Sequence, residues 1–229
     1  YLPLGRPEVI AKNLDRWGAD EILVQCINRS KENAGPDFKV LSQIANEGIT
    51  TPLIYAGGIK NHQQAIKVIR NGADRIMFDA LMHDSHDVIN NTSKILGPQA
   101  LIGCIPISID RGNCYRFNYL TNKKIKITTK ELQNIYAVNI SELLLVDYSH
   151  EGFDKGFDLK ILSSDIVKNS PLPLLFFGGI SNPKIAEKVL QDKKTAAIAI
   201  GNFLSYRENS IEYFKRTINN ALLRSHRFK

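Results

Sequence analysis

The stretch Tyr55-Ala-Gly-Gly-Ile-Lys-Asn61 recurs as Phe176-Phe-Gly-Gly-Ile-Ser-Asn182, with each residue 121 positions further along the chain. The same shift relates matched residues on both sides of this stretch. The pairs are Glu21 and Glu142, Leu23 and Leu144, Pro52 and Pro173, Ala65 and Ala186, Lys67 and Lys188, Val68 and Val189, and Ala80 and Gly201. A constant offset without gaps over about 60 residues indicates an internal duplication rather than chance likeness between apolar strands.

The repeating unit is a strand followed by a helix. Strands are predicted at 21–27, 75–78, 101–108, 142–147, 172–177 and 196–201, with a further strand ending at 55–59. Helices are predicted at 7–18, 37–47, 61–71, 85–96, 129–138, 158–168, 182–191 and 208–222, and a hairpin insertion at 114–127. Such alternation is typical of a parallel sheet with helices outside it. With the duplication, it predicts a single α/β domain over residues 1–229, a (β/α)₈ TIM barrel of two fused half-barrels.

One strand of this barrel has no sequence to form it. Shifted back by 121, the run 101–108 has no counterpart in the chain, although the helix that would follow it is present at 7–18. Seven strands cannot close the usual eight-stranded barrel. We therefore expect a barrel whose first strand is missing from the given chain, the alternative being a natural seven-stranded barrel. The apolar strand at 21–27 is expected to be buried on both faces.

The composition excludes several classes of protein. The 229 residues are 43% hydrophobic and 23% charged, which is ordinary for a globular domain and excludes disorder, collagen and coiled coil. No apolar run approaches the ~20 residues that a membrane span needs. The net charge of +7 comes from scattered residues without a nucleic-acid-binding motif, so we expect a solvated basic surface and no nucleic-acid partner. Three distant cysteines (Cys26, Cys104 and Cys114) favour reduced thiols in the cytoplasm.

Glycine pairs lie at the carboxyl ends of two predicted strands, where active sites of such barrels are found. Gly57-Gly58 and Gly178-Gly179 each come directly before a helix, and Gly201-Asn202 ends the last strand. Glycine lets a backbone approach a ligand closely, and free N–H groups at a helix N-terminus bind phosphate. Two such sites suit a small molecule with a phosphate at each end. The alternative is tight strand–helix turns without a ligand.

Charged residues open three of the predicted strands. Glu21, Arg75 and Glu142 should lie at the amino-terminal mouth of the barrel. They either face solvent separately or form a paired ring across the barrel bottom, where pairing makes buried charge tolerable.

Candidate acid–base groups lie at the opposite face. Asp79 follows the strand at 75–78, and His150-Glu151-Gly152 follows the strand at 142–147 with Asp147 and Asp158 nearby. The run 82–87 contains two histidines and two aspartates but lacks a third metal ligand at a standard spacing, so a helix start capped by Ser85 or Asp84 is favoured. We expect neither a metal nor another cofactor.

Several of these motifs together resemble one family. They are Gly18-Ala-Asp-Glu-Ile22, Asn71-Gly-Ala-Asp74, Ser141-Glu-Leu-Leu-Leu145 followed by His150-Glu-Gly152, and Phe177-Gly-Gly-Ile180. With the duplication, they resemble HisF, the cyclase subunit of imidazole glycerol phosphate synthase, almost from end to end. The related isomerase HisA shares the barrel, but the combination of Glu21, Arg75 and Glu142 favours the cyclase.

The resemblance implies a partner and a path for ammonia. HisF binds the glutaminase HisH at the barrel bottom, and ammonia enters through a gate of charged residues. Glu21, Arg75 (lysine in the usual pattern) and Glu142 match three of its four positions. Gly57, Gly58, Gly178, Gly179, Gly201 and Asn202 match regions that hold the substrate's two phosphates.

The catalytic pattern of the family is altered. HisF and HisA use aspartates on strands one and five as general acid and base, but here the strand-five position is Pro106, which cannot exchange a proton. The usual carboxylates of strands two and six correspond to Cys26 and Glu151, and the strand-four asparagine to Asp79. Asp79 and Glu151 are therefore the candidate catalytic residues, and lyase activity of the cyclase type is in question.

The substitutions resemble HisF paralogues associated with surface polysaccharides. That resemblance implies a subunit that conducts ammonia from a HisH-like glutaminase for amidation of a sugar. One alternative is an ordinary cyclase of histidine biosynthesis. An unrelated phosphate-binding aldolase is disfavoured, because the predicted barrel strands carry no interior lysine for a Schiff base.

Overall fold

Strands and helices alternate along the chain in the computed structural model, which describes residues 5–84, 86–153, 156–205, 208–218 and 223–224. The strands are β1 (Ile22–Gln25), β2 (Leu53–Ala56), β3 (Arg75–Phe78), β4 (Leu101–Asp110), β5 (Asn113–Asn118), β6 (Lys123–Lys126), β7 (Glu142–Asp147), β8 (Leu174–Phe177) and β9 (Thr195–Ile198). The α-helices are α1 (Pro7–Arg16), α2 (Phe38–Ala45), α3 (His62–Arg70), α4 (Leu81–Asp84), α5 (His86–Leu96), α6 (Thr129–Tyr136), α7 (Asp165–Lys168), α8 (Pro183–Leu190) and α9 (Ser210–Thr217). Short 3₁₀ helices cover Pro98–Ala100, Leu159–Ser163 and Asn202–Ser205.

Seven of the strands form one parallel sheet in the order β1-β2-β3-β4-β7-β8-β9. In a flat sheet, β1 and β9 would lie roughly 29 Å apart at the usual spacing between strands. Instead, side chains from all seven strands, from Leu23 of β1 to Ala197 of β9, form one inner apolar cluster. The sheet therefore curls round its own interior, while a larger cluster packs the helices on its outer face. This is a TIM-barrel-like architecture, and the predicted fold class is confirmed.

The two ends of the sheet are β1 and β9, each of which pairs with one neighbour in the described part of the chain. The expectation that the first apolar run is buried on both faces is wrong for this reason. Ile22 is buried, but Gln25 is exposed at the end of β1. Near this edge, Nζ of Lys215 on α9 lies 2.8 Å from Oδ1 of Asp20, so the last described helix contacts the chain just before β1.

Two helices differ by more than two residues from their predicted extents. The segment 158–168 forms a 3₁₀ helix and then α7, because Ser164 between them has an extended backbone. The predicted helix at 208–222 is observed as α9, and residues 219–222 lie outside the described part of the chain.

The hairpin predicted after β4 is formed by β5 and β6, and it explains a proline in a central strand. The carbonyl of Ile107 accepts the N–H of Tyr148, so the backbone groups of Ile107 point towards β7. Because successive residues of a strand point their backbone groups to opposite neighbours, those of Pro106 point away from β7. On that side β3 pairs only as far as Gly103, and β5 pairs from Ile107 onward. Pro106 therefore lies where neither strand needs the N–H that proline lacks.

The duplication is visible in individual hydrogen bonds. The N–H of Ile22 donates to the carbonyl of Pro52 at 2.9 Å, and the equivalent Leu143 donates to Pro173 at 3.1 Å. A chain that repeats at a fixed offset thus repeats its strand–strand contacts at the same offset.

Equivalent asparagines also begin equivalent helices. Oδ1 of Asn61 accepts the N–H of Gln64 at 2.9 Å, and Oδ1 of Asn182 accepts that of Ile185 at 3.1 Å. Each side chain satisfies an N–H that the first turn of α3 or α8 leaves without an intrahelical partner.

We expect Asn61→Ala and Asn182→Ala each to lower the free energy of unfolding by about 0.5–2 kcal/mol, the usual cost of losing an N-cap. Asn61→Asp and Asn182→Asp are the controls, because they keep the accepting oxygen. Urea denaturation measures all four variants. Equal losses in the alanine and aspartate variants would contradict this role.

Candidate functional site

A large cavity occupies the interior of the curled sheet. Its volume is about 1160 Å³, and its walls include inward-facing residues of all seven parallel strands. The lining extends from Glu21, just before β1, to Asp79 after β3 and Glu151 after β7. The cavity thus connects the amino ends of the strands with their carboxyl ends.

At the amino ends, one guanidinium joins the three charged residues singled out in the sequence. Nη1 of Arg75 lies 3.1 Å from Oε1 of Glu21, and Nη2 lies 2.5 Å from Oε2 of Glu142. Burial disfavours the charged form of Arg75, but the carboxylates of Glu142 and Glu21 outweigh it and raise the pKa of the guanidinium. The structure therefore brings these residues together as a paired network rather than as separate solvated charges.

Two further groups complete this network. Nη2 of Arg75 also donates to Oγ of Ser141 at 3.0 Å, and Nε donates to the carbonyl of Gln99 at 3.2 Å. Ser141 begins one of the motifs that carry the family resemblance, but no feature of the sequence indicated its contact with Arg75. Arg75 thereby contacts the starts of β1, β4 and β7 from its own position on β3.

The first glycine pair is packed tightly against the loop that follows β1. Gly57 and Gly58 have positive φ angles of 113° and 73°, and a Cβ added to either would lie about 2.3 Å or less from the carbonyl oxygen of Cys26 or Gly35. The N–H of Gly58 donates to Oγ of Ser30 at 3.0 Å. Close packing therefore accounts for both glycines, and Gly57 also lines the central cavity.

The second glycine pair borders a separate, smaller cavity of about 460 Å³. Gly178, Gly179, Gly201 and Asn202 all line it, so the structure brings together four residues predicted from the sequence. Gly178 and Gly179 have φ angles of 98° and 69°, close to those of the first pair. Glu151 lines this cavity as well as the central one.

The carboxylate of Glu151 lies near Gly179, which follows β8, and near Gly201, which follows β9. Burial raises its pKa, the nearby Asp147 adds to the rise, and the backbone N–H of Gly179 opposes it. A Cβ added to Gly201 would lie 3.9 Å from Oε1 of Glu151. Glu151 is thus a carboxylate with weakened acidity beside the second glycine pair.

Asp79 is a second carboxylate with raised pKa, on the wall of the central cavity. Its Oδ1 is buried and has no hydrogen-bond partner among the described residues. Burial raises the pKa of Asp79 to about 7. The phenol of Tyr119 from the β5–β6 hairpin lies nearby, and burial together with Asp79 raises its pKa to about 12. A group with a pKa near neutrality can both give and take a proton, as an acid–base residue requires.

Asp147 and His150, also considered as acid–base residues, are hydrogen bonded to each other. Oδ2 of Asp147 lies 2.7 Å from Nδ1 of His150 and accepts the N–H of Asp158 at 2.9 Å. In the other half of the chain, the N–H of Asp37 donates instead to the hydroxyl of Tyr55 at 2.6 Å. The residue equivalent to Tyr55 is Phe176, which has no hydroxyl, and the residue equivalent to Asp37 is Asp158. The N–H of Asp158 therefore donates to the carboxylate of Asp147 instead, and this contact holds the loop after β7.

Pro106 lines the central cavity from β4, where it offers no group for proton transfer. The sequence interpretation missed Ser30 and Tyr119. Ser30 could have been found from the duplication, because it lies 121 residues before Glu151. Tyr119 could not, since the hairpin that carries it is not duplicated.

No cluster of three or more His, Cys, Asp or Glu side chains in the described part of the chain could hold a metal ion. Ser85 and the side chain of Asp84, the expected helix cap, lie outside the described residues. Cys26, Cys104 and Cys114 are free thiols. Among the described helices, none is both long and apolar enough to cross a membrane.

Comparison with known proteins gives a consistent result. A family model described as histidine biosynthesis protein matches residues 3–210. The chain is 28% identical over 231 residues to a "Putative imidazole glycerol phosphate synthase subunit hisF2" of Vibrio vulnificus, covering 97% of this chain and 82% of that protein. It is 26% identical over 213 residues to an "Imidazole glycerol phosphate synthase subunit HisF" of Exiguobacterium sp., covering 93% and 82%. The protein of the same name from Methanococcus maripaludis is 27% identical over 247 residues, covering 96% and 89%.

We expect Glu142→Ala to lower the free energy of unfolding by about 1.5–3 kcal/mol, because it removes a hydrogen bond to a charged group and leaves the partly buried Arg75 with less compensation. Glu212→Ala is the matched control, since Glu212 pairs with Arg216 on the surface of α9 and such pairs contribute about 1 kcal/mol or less. Denaturant titration compares the two. Losses of equal size would show that the Arg75 network adds no more than a surface pair.

Asp79 should make the folded protein less stable as the pH rises. Its pKa of about 7 in the folded state exceeds the value near 3.9 of an unfolded chain. Between about pH 4 and pH 7, the folded state therefore holds a proton that the unfolded state has lost. Asp79→Asn removes this titration. Between about pH 4 and pH 7, the free energy of unfolding of the variant minus that of the parent should therefore rise by up to about 1.4 kcal/mol per pH unit.

Urea denaturation at pH 5 and pH 8 tests this expectation. Asp110→Asn, at an exposed carboxylate, is the control and should follow the parent protein. An Asp79→Asn variant whose stability changes with pH as the parent's does would contradict the expected titration of Asp79.

Proposed function

Because the chain belongs to the histidine biosynthesis protein family, as a member of its HisF group, we propose that it is the HisF-like subunit of a glutamine amidotransferase complex. In this role it conducts ammonia from a HisH-like glutaminase through the barrel. The ammonia leaves at the carboxyl ends of the strands for a separate enzyme that amidates a sugar, and a phosphorylated small molecule binds at the same ends. We place the complex in the cytoplasm, where free thiols persist.

The observation that carries this proposal is the central cavity, which reaches both ends of the strands and also extends past the edge strands to Leu14 of α1 and Phe214 of α9. It begins at Glu21, within the Arg75 network, and reaches Asp79 and Glu151 at the other end. Its inner wall is built from apolar side chains such as Ile54, Ile102 and Leu144. Neutral ammonia can cross apolar surroundings, whereas ammonium would lose its hydration without compensation. A passage of this kind favours transfer of the neutral molecule.

The Arg75 network is suited to the entrance. It lies at the amino ends of the strands, on the face where the HisH-like glutaminase would dock. Its charges are held by mutual pairing, so a partner could shift them without leaving an unpaired charge in the barrel. We therefore assign Glu21, Arg75 and Glu142 as the ammonia gate.

The opposite end supplies the ligand site. Gly57, Gly58, Gly178, Gly179, Gly201 and Asn202 are proposed to bind the phosphates of the ligand. Asp79 and Glu151 are proposed as its acid–base residues, since both carboxylates have raised pKa values and face the cavity. With Pro106 on β4, a cyclase reaction lacks a proton-transferring group at the strand-five position. Amidation of a surface sugar is therefore preferred as the final use of the ammonia.

The second candidate is the cyclase of histidine biosynthesis, which the names of the relatives favour. An activity assay distinguishes the two functions. The protein is supplied with ammonium and with the phosphorylated aminoimidazole precursor of that pathway. Turnover would establish the cyclase and overturn the preference for sugar amidation. Absence of turnover, in a preparation that still activates a glutaminase, is the result we expect.

Co-expression with a HisH-like glutaminase tests the proposed assembly. We expect a stable complex in which glutamine hydrolysis is at least about tenfold faster than in the glutaminase alone, and Glu142→Ala should lower this activation several-fold. Glu212→Ala, at the exposed pair on α9, is the matched control and should leave the activation unchanged. Size-exclusion chromatography detects the complex, and glutamate release measures hydrolysis. Failure to form a complex would overturn the proposal.

A further inference from the structure

The two glycine pairs are equivalent in backbone but not in charge. Ser30 and Glu151 lie 121 residues apart, so they occupy the same place in the two halves of the chain. Ser30 accepts the N–H of Gly58 through its hydroxyl. Glu151 presents its carboxylate to the N–H of Gly179, the second glycine of the other pair. One half thus has a neutral acceptor where the other half has an acid.

This difference matters because the N–H of Gly179 is one that a bound anion would use. A bound phosphate at the second pair would have to approach Gly179 and Gly201, and the carboxylate of Glu151 already lies near both of them. An ionised carboxylate in this position would repel a dianion at short range. A protonated carboxyl would instead donate a hydrogen bond to a phosphate oxygen, and such charge-assisted bonds are strong.

Among the described residues, little neutralises the charge of Glu151. Of the described residues that line this cavity, which come from the loops after β7, β8 and β9, Glu151 alone is ionisable. Asp147 of β7 adds a second negative charge nearby and favours the protonated form of Glu151. His150 is hydrogen bonded to Asp147 through Nδ1. The balance of described charges around Glu151 therefore favours uptake of a proton when an anion arrives.

We propose that Glu151 makes the second glycine cradle (Gly178, Gly179, Gly201 and Asn202) a proton-coupled phosphate site, whereas the first cradle (Gly57 and Gly58) binds phosphate without this coupling. Binding of a phosphate dianion at the second cradle takes up one proton from solvent, which is shared between the Glu151 carboxyl and a phosphate oxygen. This inference rests on the proposed function, since it requires both cradles to bind phosphate. It makes the two ends of the ligand inequivalent.

The test follows the backbone amide signals of Gly58 and Gly179 by ¹H–¹⁵N NMR during titration with inorganic phosphate at pH 7 and pH 8. We expect the Kd reported by Gly179, expressed as the concentration of the phosphate dianion, to rise close to tenfold between these pH values, about the limit for uptake of one proton. The Kd reported by Gly58 should change little. The Gly58 signal also shows that the rest of the fold is intact in the variants of Glu151, and the Gly179 signal does so in the variant of Ser30.

The duplication supplies matched variants. Glu151→Ser installs the residue of the other half, and Glu151→Gln keeps the shape without the charge; both should bind phosphate more tightly at pH 8 and lose most of the pH dependence at Gly179. The reciprocal Ser30→Glu should weaken binding at Gly58 and make it pH-dependent. All three variants retain His150, so a pH dependence that disappears with the Glu151 carboxylate belongs to Glu151.

Two negative results have different meanings. If phosphate shifts neither glycine signal at either pH, both cradles fail as phosphate sites and that part of the proposed function falls. If Gly179 responds to phosphate with the same Kd at both pH values in the parent and in Glu151→Gln, the proton coupling is overturned while the phosphate sites stand.

Discussion

The guanidinium of Arg75 is the contact on which the amino-terminal end of the barrel depends. From β3 it reaches Glu21 before β1, Glu142 at the start of β7, and backbone or hydroxyl groups beside β4. These groups come from both halves of the duplicated chain, so one side chain ties the halves together where the cavity opens. A buried cation needs such compensation, because its loss of hydration is otherwise costly. The same arrangement that stabilises Arg75 also places charge at the entrance of the proposed ammonia passage.

Duplication explains much of the remaining architecture. A fixed offset of 121 residues repeats the strand contacts, the helix caps and the glycine pairs with their positive φ angles. Where the halves diverge, the change lies in single side chains. The hydroxyl of Tyr55 in one half is replaced as hydrogen-bond acceptor by the carboxylate of Asp147 in the other. Ser30 is replaced in the same way by Glu151. The two halves thus differ in a few side chains while their glycine pairs keep similar backbone angles. The inequivalence that we propose for the two cradles rests on these side chains.

Sequence reasoning located most strands and helices because apolar periodicity and the repeat act locally. Arg75–Phe78 and Glu142–Asp147 were predicted with their observed bounds. The expectation that the first strand is buried on both faces was wrong, because β1 lies at the edge of the sheet. The helix predicted at 158–168 was also wrong in its extent, because Ser164 interrupts it. Sequence reasoning also grouped Asp147 with free acid–base residues, although contacts with His150 and Asp158 hold this carboxylate. Such outcomes depend on neighbours that are remote in sequence.

The sequence by itself determined the fold class, the two related halves and the residue types at both ends of the strands, because all of these follow from spacing along one chain. It also indicated that Pro106 cannot transfer a proton. Only the tertiary structure decided that Glu21, Arg75 and Glu142 form one network, that a buried oxygen of Asp79 has no partner within the described part of the chain, and that Glu151 faces the second glycine pair. The reason is physical: curling of the sheet brings together groups far apart in sequence, and the burial it causes sets their charge.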